Sequence, residues 1–516
     1  MEFEEKDTFE ESKKIKIHPI FIFIFISICI IILSAIAKLF NLSITYEEIN
    51  PLTGKLEASL TTVNSLLTYD GIKYMFGDFI KNFINFGPLG MILISMFGIG
   101  VAEKSGYLKV LMTKITKWIP PKYITFLIIL LGICSSLIVD AGYVVLIPLA
   151  ALIFLINNRN PIAGVFAAFA GVSIGYGLNL FVGPVDAVLA TYTTHSANII
   201  DSGYEVTMAS NWYFMILATF ILSFVGMLIT EKIIVPKLGR YKNDEDFQKV
   251  EITDKEKKGL RYARITTIII GAIFLYMIIP GLPWSGVLLD NEEVFYINKL
   301  FSYNSPFSSG IVFLISSLFL IGGISYAIGV KKIKNDKDIV KTMISSFDNI
   351  GIYIVFIFFA SVLITLFNYT NLGTIFVVAI TKLISGLSFT GIPLIILLFI
   401  TTILLTIIIP SATTKWAIMA PVFVPMFMQL NLSPEFTQLI FRAGDSIAKP
   451  LSIFLPYFAL ILAIIYKYNK KGITTIKQTF GIMSIYSLII GLIWFALIIG
   501  WYMIGLPIGP ESYPAI

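Results

Sequence analysis

Charged residues are scarce in this chain of 516 residues: 14% are Asp, Glu, Lys or Arg, while 57% are hydrophobic and the mean hydropathy is +0.85. Soluble domains carry about 25% charged residues, so lipid must be the solvent for most of this chain. Only two histidines and two cysteines are present. They are not clustered, which predicts no metal site, no disulfide framework and no cofactor. The chain also shows no paired nucleophile and base, so we expect neither an enzyme nor a nucleic-acid partner.

Long apolar runs recur along the whole chain. A helix needs about 20 apolar residues to cross the hydrocarbon core. Nine runs are predicted to span the membrane: 19–41, 84–105, 161–190, 211–235, 263–284, 306–329, 345–368, 437–466 and 480–504. Two further stretches, 122–156 and 388–430, could cross twice but are interrupted by small polar residues. We predict re-entrant hairpins there, because lipid tolerates bent backbone only where it is buried in protein or lines water.

The distribution of positive charge predicts the orientation. With a cytoplasmic N-terminus and both hairpins returning to their own side, 28 of the 38 Lys and Arg residues fall in cytoplasmic connections and five in outer ones. Cytoplasmic loops are enriched in these residues. The predicted division is a cytoplasmic tail at 1–18, a first half at 19–235, a cytoplasmic loop at 236–262, a second half at 263–504 and an external tail at 505–516.

Each predicted hairpin is followed by a span that contains helix breakers. The first such span carries Gly175, Gly183 and Pro184, and the second carries Gly444 and Pro450. The two hairpins open from opposite sides, which predicts an inverted repeat with broken helices at a substrate site near the bilayer midplane. The predicted fold class is therefore an all-α membrane protein. The alternative is that Gly and Pro only kink the helices for packing.

Several ionisable residues fall deep in these apolar segments, where a charge is kept only when it is paired, hydrated or functional. Arg442, Asp445 and Lys449 share one helical face, and the spacing of Asp445 and Lys449 allows them to pair. This leaves Arg442 without a partner, so we expect its guanidinium to hold a substrate carboxylate.

Other candidate residues are assigned from their position. Asp186 follows Pro184 and is the candidate proton carrier, although it could instead bond to loop amides without titrating. Trp416 could stack on an aromatic ring or anchor at the interface. Asn179 and Ser411 are polar candidates for substrate binding, and Pro434 starts the following helix.

Six stretches carry a resemblance to a known family. They are NPLTGKLEAS at 50–59, GPLGMILISMFGIGVAEKSGYL at 87–108, DAGYVVLIPLAALIF at 140–154, PIAGVFAAFAGVSIGYGLNLFVGPVDAVLA at 161–190, SATTKWAIMAPVFVPMFM at 411–428 and SPEFTQLIFRAGDS at 433–446. Together they resemble the AbgT transporters, a family named for p-aminobenzoyl-glutamate uptake and associated with efflux of sulfonamide-type antimetabolites. The resemblance implies a homodimer of nine-span protomers driven by an ion or proton gradient. It also implies site roles for Asp186, Thr413, Trp416, Pro434, Arg442 and Asp445.

The chain departs from the family pattern after Asp445. Relatives usually have Thr-Asn and a later Pro there, whereas this chain has Ala448, Lys449 and Pro450. An Asn carbonyl is a natural cation ligand and a lysine is not. We hypothesise that the Lys449 ammonium takes the place of a cation and pairs with Asp445, which would leave this site independent of sodium.

The sequence therefore predicts a secondary active transporter of the bacterial inner membrane. Its expected solute is a p-aminobenzoyl-glutamate-like, p-aminobenzoate-like or sulfonamide-like aromatic molecule. The coupling ion is expected to be a proton, with Na⁺ as the alternative. A dicarboxylate or short-chain fatty-acid carrier of similar architecture is the nearest rival, and a passive channel is a second.

Overall fold

A computed structural model describes residues 18–50, 56–116, 119–138, 140–241, 252–292, 295–301, 305–348, 350–387, 389–469 and 475–516. Most of the tail predicted at 1–18, residues 242–251 of the predicted loop at 236–262, and residues 51–55 of the first family-like stretch lie outside these ranges.

The described residues form 21 helices and two strands. In chain order they are α1 (Pro19–Leu39), β1 (Ser43–Ile49), β2 (Leu56–Thr62), α2 (Tyr69–Gly77), α3 (Phe79–Ile84), α4 (Gly87–Ser105), α5 (Tyr107–Thr116), α6 (Pro121–Cys134), α7 (Ile147–Ile156), α8 (Pro161–Ile174), α9 (Pro184–Ala197), α10 (Trp212–Leu238), α11 (Asp254–Ile278), α12 (Tyr296–Phe301), α13 (Pro306–Gly329), α14 (Asp336–Ser346), α15 (Ile350–Thr370), α16 (Leu372–Ser385), α17 (Ile392–Ile408), α18 (Ala412–Met428), α19 (Pro434–Ala448), α20 (Phe458–Tyr468) and α21 (Ile476–Ile504). The fold is thus mostly helical, as the sequence predicts. α4 and α10 each contain one π-helical turn.

Seven of the described helices are long and apolar enough to cross a membrane: α1, α4, α10, α11, α13, α15 and α21. Each overlaps a span predicted from the sequence, although α11 begins at Asp254 rather than at the predicted residue 263. Local signals fix where two of them begin. Thr253 and Glu256 form a capping box at the start of α11, and Thr475 and Gln478 form another at the start of α21.

The two spans with predicted helix breakers are each divided into two helices. In the first, α8 ends in a 3₁₀ turn at Gly175–Gly177 and α9 begins only at Pro184. In the second, α19 ends in a 3₁₀ turn at Lys449–Leu451 and α20 begins at Phe458. A proline cannot donate the backbone hydrogen bond that continues a helix, which explains why Pro184 starts a helix and Pro450 lies at the end of another.

The two predicted hairpin stretches also contain breaks. In the first, 3₁₀ and π-helical turns separate α6 from α7. In the second, Ile409 to Ser411 separate α17 from α18. At 1.5 Å per residue, the 14 residues of α6 extend about 21 Å, well short of the roughly 30 Å hydrocarbon core.

The two halves share a packing pattern. Both α6 and α7 pack against α8, and both α17 and α18 pack against α19. Each pair of short helices therefore contacts the first helix of the broken pair that follows it. The halves meet where α9 packs against α18 and α19. This contact brings the chain breaks of both halves into one region.

A two-stranded hairpin is one of the elements that were not predicted from the sequence. β1 and β2 pair antiparallel, and β1 packs on α16 and α18. The backbone N–H of Asn64, just after the hairpin, donates to Thr370 O at 3.2 Å, and the Asn371 side chain donates to Thr62 O at 3.1 Å. These bonds hold the turn between α15 and α16, where Asn371 has a φ of +59°. The purely α assignment is therefore wrong for this segment.

Candidate functional site

A cavity of about 520 Å³ lies where the four chain breaks meet. Each break contributes residues to its wall: Asp140 and Tyr143 from the first, Tyr176 from the second, Ser411 to Thr414 from the third, and Lys449 and Tyr457 from the fourth. The last turn of α15 adds Asn368, and the residue between α15 and α16 adds Asn371. Backbone N–H and C=O groups are freed wherever a helix is interrupted, so this region can present polar groups to a solute.

Aromatic rings form much of the cavity wall. Tyr143 and Tyr457 are stacked, with ring centroids 4.8 Å apart and planes 1° from parallel. Phe367 and Phe454 form a second stack with centroids 4.1 Å apart. The buried Tyr143 hydroxyl has no partner with hydrogen-bond geometry among the described residues. The wall is therefore largely aromatic, and it includes one buried hydroxyl without a partner of hydrogen-bond geometry.

Lys449 supplies positive charge to the cavity. Its side chain is 4% exposed, and its Nζ lies 3.5 Å from Asp445 Oδ2. The same Nζ lies 3.0 Å from the centroid of the Tyr176 ring, a cation–π contact. The predicted pairing of Asp445 with Lys449 is therefore present, although the contact is longer than a hydrogen bond between charged groups.

Lys415 is the partner of Asp445 that the sequence analysis missed. It is fully buried and forms an ion pair with Asp445 Oδ1. Its Nζ also donates to Thr406 Oγ1 and to Ile409 O, both at 2.7 Å. Asp445 thus lies between two ammonium groups. Helical spacing within α19 revealed Lys449, whereas Lys415 lies on α18 and no local pattern connects it with α19.

Arg442 has partners within the protein, so the prediction that it lacks one is wrong. It forms a buried ion pair with Asp186, and its Nε donates to Gly177 O at 3.2 Å. Asp186 also accepts a hydrogen bond from the Gly183 N–H at 2.6 Å. The break between α8 and α9 turns Asp186 toward α19, which sequence spacing could not show. In this conformation neither residue lines the cavity described above.

Trp416 occupies the interior rather than the cavity or the interface. It is fully buried, stacks on Phe441 with centroids 4.4 Å apart, and donates from Nε1 to Thr193 Oγ1 at 2.9 Å. Thr193 Oγ1 in turn donates to Gln438 Oε1 at 2.8 Å. Trp416 therefore joins α18 to α9 and α19, and its interpretation as an interfacial anchor is wrong.

The remaining predicted site residues divide between the cavity and its surroundings. Ser411 and Thr413 line the cavity, and Ser411 caps α18 by accepting from the Thr414 N–H at 3.4 Å. Asn179 instead donates to Ser136 Oγ at 3.1 Å and accepts from the Leu180 N–H at 2.8 Å. Pro434 occupies the first turn of α19, as predicted. Asn179 and Pro434 do not line this cavity.

Gly177 allows the first broken pair to approach α19 closely. A Cβ at this position would lie 2.3 Å from Ser446 Oγ and 2.8 Å from Arg442 O. We expect Gly177→Ala to lower the free energy of unfolding by about 1–3 kcal/mol, because the crowded backbone must shift. Thermal unfolding of the purified protein in detergent measures the change. Gly481→Ala is the matched control, since nothing lies within 4 Å of its added Cβ, and equal stability of the two variants would contradict the prediction.

Within the described ranges, no three His, Cys, Asp or Glu side chains form a group that could hold a metal ion. The charged groups around the cavity are instead paired acids and bases. Such an arrangement can bind and release an anion or a proton.

Comparisons with known proteins identify the family. The model of the AbgT putative transporter family matches residues 7–516. The p-aminobenzoyl-glutamate transport protein of Escherichia coli (strain K12) is 33% identical over 501 residues, which cover 97% of this chain and 94% of that protein. These matches confirm the resemblance inferred from the six sequence stretches.

Two solved structures are also similar in sequence. The YdaH transporter of Alcanivorax borkumensis is 34% identical, with 96% of this chain and 100% of that chain covered and a TM-score of 0.49. MtrF of Neisseria gonorrhoeae, described with a class of antimetabolite efflux pumps, is 35% identical, with 97% and 98% covered and a TM-score of 0.49. The family model and the curated relative both span nearly the whole chain, and seven described helices can cross a membrane. The chain is therefore a multi-pass membrane protein that belongs to the AbgT putative transporter family.

Proposed function

We propose that this protein is a secondary active transporter that moves p-aminobenzoyl-glutamate-like, p-aminobenzoate-like or sulfonamide-like aromatic solutes across the bacterial inner membrane. The cavity at the four chain breaks carries the proposal, because it combines stacked aromatic rings, hydroxyl groups and a buried ammonium. Its volume of about 520 Å³ lies within the 300–1,000 Å³ usual for small-molecule sites. The name of the Escherichia coli relative supports this solute class.

The transport cycle follows from the proposed membrane architecture. The pairs α6–α7 and α17–α18 are re-entrant hairpins of opposite orientation, and nine further segments cross the bilayer. The short length of α6 and the shared packing pattern of the two halves support this arrangement. Rocking of one half against the other would expose the cavity to each side in turn. The N-terminus is cytoplasmic, the C-terminus is external, and the protein is a homodimer.

The coupling ion is a proton rather than sodium in this proposal. Asp445 lies between the ammonium groups of Lys415 and Lys449. A sodium ion at this carboxylate would face two positive charges at close range, and like charges disfavour one another. The two lysines already provide the cationic neighbours that a bound metal ion would otherwise supply. A proton can be carried by either Asp186 or Asp445.

The ion pair of Arg442 with Asp186 gives the carried proton a specific role. While Asp186 is ionised, it holds the guanidinium. Protonation of Asp186 removes that charge and frees Arg442 to bind a carboxylate in a later state of the cycle. The expected role of Arg442 in binding substrate therefore depends on the protonation of its partner.

Transport into proteoliposomes tests the function and its coupling. With radiolabelled p-aminobenzoate and one imposed gradient at a time, we expect accumulation with a proton gradient and none with sodium alone. Asp186→Asn should still bind the solute but fail to accumulate it, because the amide cannot carry the proton. Protein-free liposomes are the control. Strong stimulation by sodium alone would contradict proton coupling, and the absence of any gradient-driven uptake would contradict the function.

The rival functions predict different results in the same assay. A carrier of dicarboxylates or short-chain fatty acids needs no aromatic faces, so succinate or butyrate should compete with p-aminobenzoate as strongly as aromatic acids do. The stacked rings of the cavity wall favour weak competition by these aliphatic acids. A channel would equilibrate the solute without concentrating it.

A further inference from the structure

The cavity contains one basic residue among the described residues that line it, Lys449. The residue begins the 3₁₀ turn that follows α19, so its side chain leaves the helix at the break. An ammonium buried in a membrane protein is retained only if it is paired, hydrated or used. Its neighbours therefore indicate whether Lys449 serves the structure or a ligand.

The strongest contact of Asp445 is made by another residue. Lys415 pairs with Asp445 directly and is also held by Thr406 and by the carbonyl of Ile409. Lys449 reaches the same carboxylate only at 3.5 Å. An ammonium has three N–H donors, and a contact at this length together with a ring face does not saturate them. Lys415 thus neutralises Asp445 without Lys449, and Lys449 keeps a donor for a new anionic partner beside its second acidic neighbour, Asp140.

The start of α18 and Tyr143 add neutral hydrogen-bond donors to the cavity. α18 has 17 residues and begins at the cavity, where the positive end of its dipole and its first N–H groups lie beside Ser411 and Thr413. Tyr143, which is 1% exposed, is also a cavity residue, and its buried hydroxyl has no partner with hydrogen-bond geometry among the described residues. Together these groups can hold an anionic oxygen near the ammonium.

We infer that Lys449 is the cation that receives the carboxylate of the aromatic solute, while the ring of Tyr176, which is only partly buried, contacts its aromatic part. This inference rests on the proposed transport function and assigns the anion subsite within it. Asp140 limits the geometry, because its carboxyl group also lines the cavity and interacts with Lys449 and the Tyr457 hydroxyl. A carboxylate bound at the ammonium is therefore also repelled by Asp140.

Binding of a matched pair of probes tests the subsite. p-Aminobenzoate and its neutral isostere p-aminobenzamide are titrated by calorimetry into the purified full-length protein in detergent. Removal of a charged hydrogen-bond partner should weaken p-aminobenzoate binding to Lys449→Met by roughly tenfold to a hundredfold. Binding of the amide should change less than about threefold, so that the preference for the acid is lost.

Three further variants separate charge from general damage. Lys449→Arg should keep the preference for the acid, and Asp140→Asn should strengthen acid binding because a like charge is removed. Lys341→Met, at an exposed position of α14, is the control and should bind both probes as the unmodified protein does. A preference for the acid that survives in Lys449→Met overturns the inference and leaves the transport function intact. Failure of the unmodified protein to bind either probe overturns both.

Lys449→Met could fail to fold. A measurement on the unmodified protein then tests whether Lys449 binds the carboxylate. Reductive methylation of Lys449, followed by peptide mass spectrometry, reports how accessible its ammonium is. p-Aminobenzoate should slow the methylation of Lys449 several-fold more than p-aminobenzamide does, while Lys341 should react equally with either probe. Equal protection by the two probes would overturn the inference.

Discussion

Arg442→Ala should lower the free energy of unfolding by about 3–5 kcal/mol and abolish transport, because it leaves the Asp186 carboxylate buried without its partner. The pair is almost inaccessible, with 4% of each side chain exposed. Thermal unfolding in detergent and yield from size exclusion measure the loss of stability. Arg264→Ala, at an exposed position of α11, serves as the control and should change neither quantity.

The double variant Arg442→Leu with Asp186→Leu distinguishes structure from function at this pair. Replacement of both partners by apolar residues removes the uncompensated charge, so most of the lost stability should return. Transport should remain absent, because neither a proton carrier nor the guanidinium is present. Recovery of transport in the double variant would show that the pair only supports the fold. Equal stability of Arg442→Ala and the unmodified protein would contradict the buried pair itself.

Among substitutions of Asp445, Lys415 and Lys449, Asp445→Asn should lower the free energy of unfolding the most. The substitution leaves the ammonium groups of Lys415 and Lys449 buried near one neutral amide, and a cost of about 3–5 kcal/mol is typical for a broken buried pair. Lys415→Met should cost less, because Lys449 can then neutralise Asp445. Lys449→Met should cost least, because Lys415 already holds the carboxylate.

The prediction is tested by the order of the thermal unfolding temperatures of these three variants. In detergent, we expect Lys449→Met to have the highest unfolding temperature of the three, Lys415→Met a lower one and Asp445→Asn the lowest. Lys341→Met again provides the control for loss of a surface charge. A Lys449→Met variant less stable than Lys415→Met would reverse the roles that the contacts assign to the two lysines.

The sequence predicted the positions of the broken helices well, and for a local reason. Gly175, Pro184 and Pro450 interrupt helices through their own backbone properties, so their effect can be read without knowledge of the neighbours. The pairing of Asp445 with Lys449 was equally accessible, because both belong to adjacent turns of one helical face. Tyr143 and Tyr457 were not predicted as cavity residues, because tyrosines are common in membrane helices and carry no formal charge.

The sequence alone determined that the chain is a membrane protein, where its helices break and that Asp186, Arg442 and Asp445 are buried. These properties depend on hydropathy, on Gly and Pro, and on spacing along the chain. Only the tertiary structure decided that Asp186 pairs with Arg442, that Lys415 rather than Lys449 contacts Asp445 most closely, and that Trp416 is sealed in the interior. Each of these contacts joins separate helices, and the partners are chosen by the packing of those helices, which no local pattern encodes.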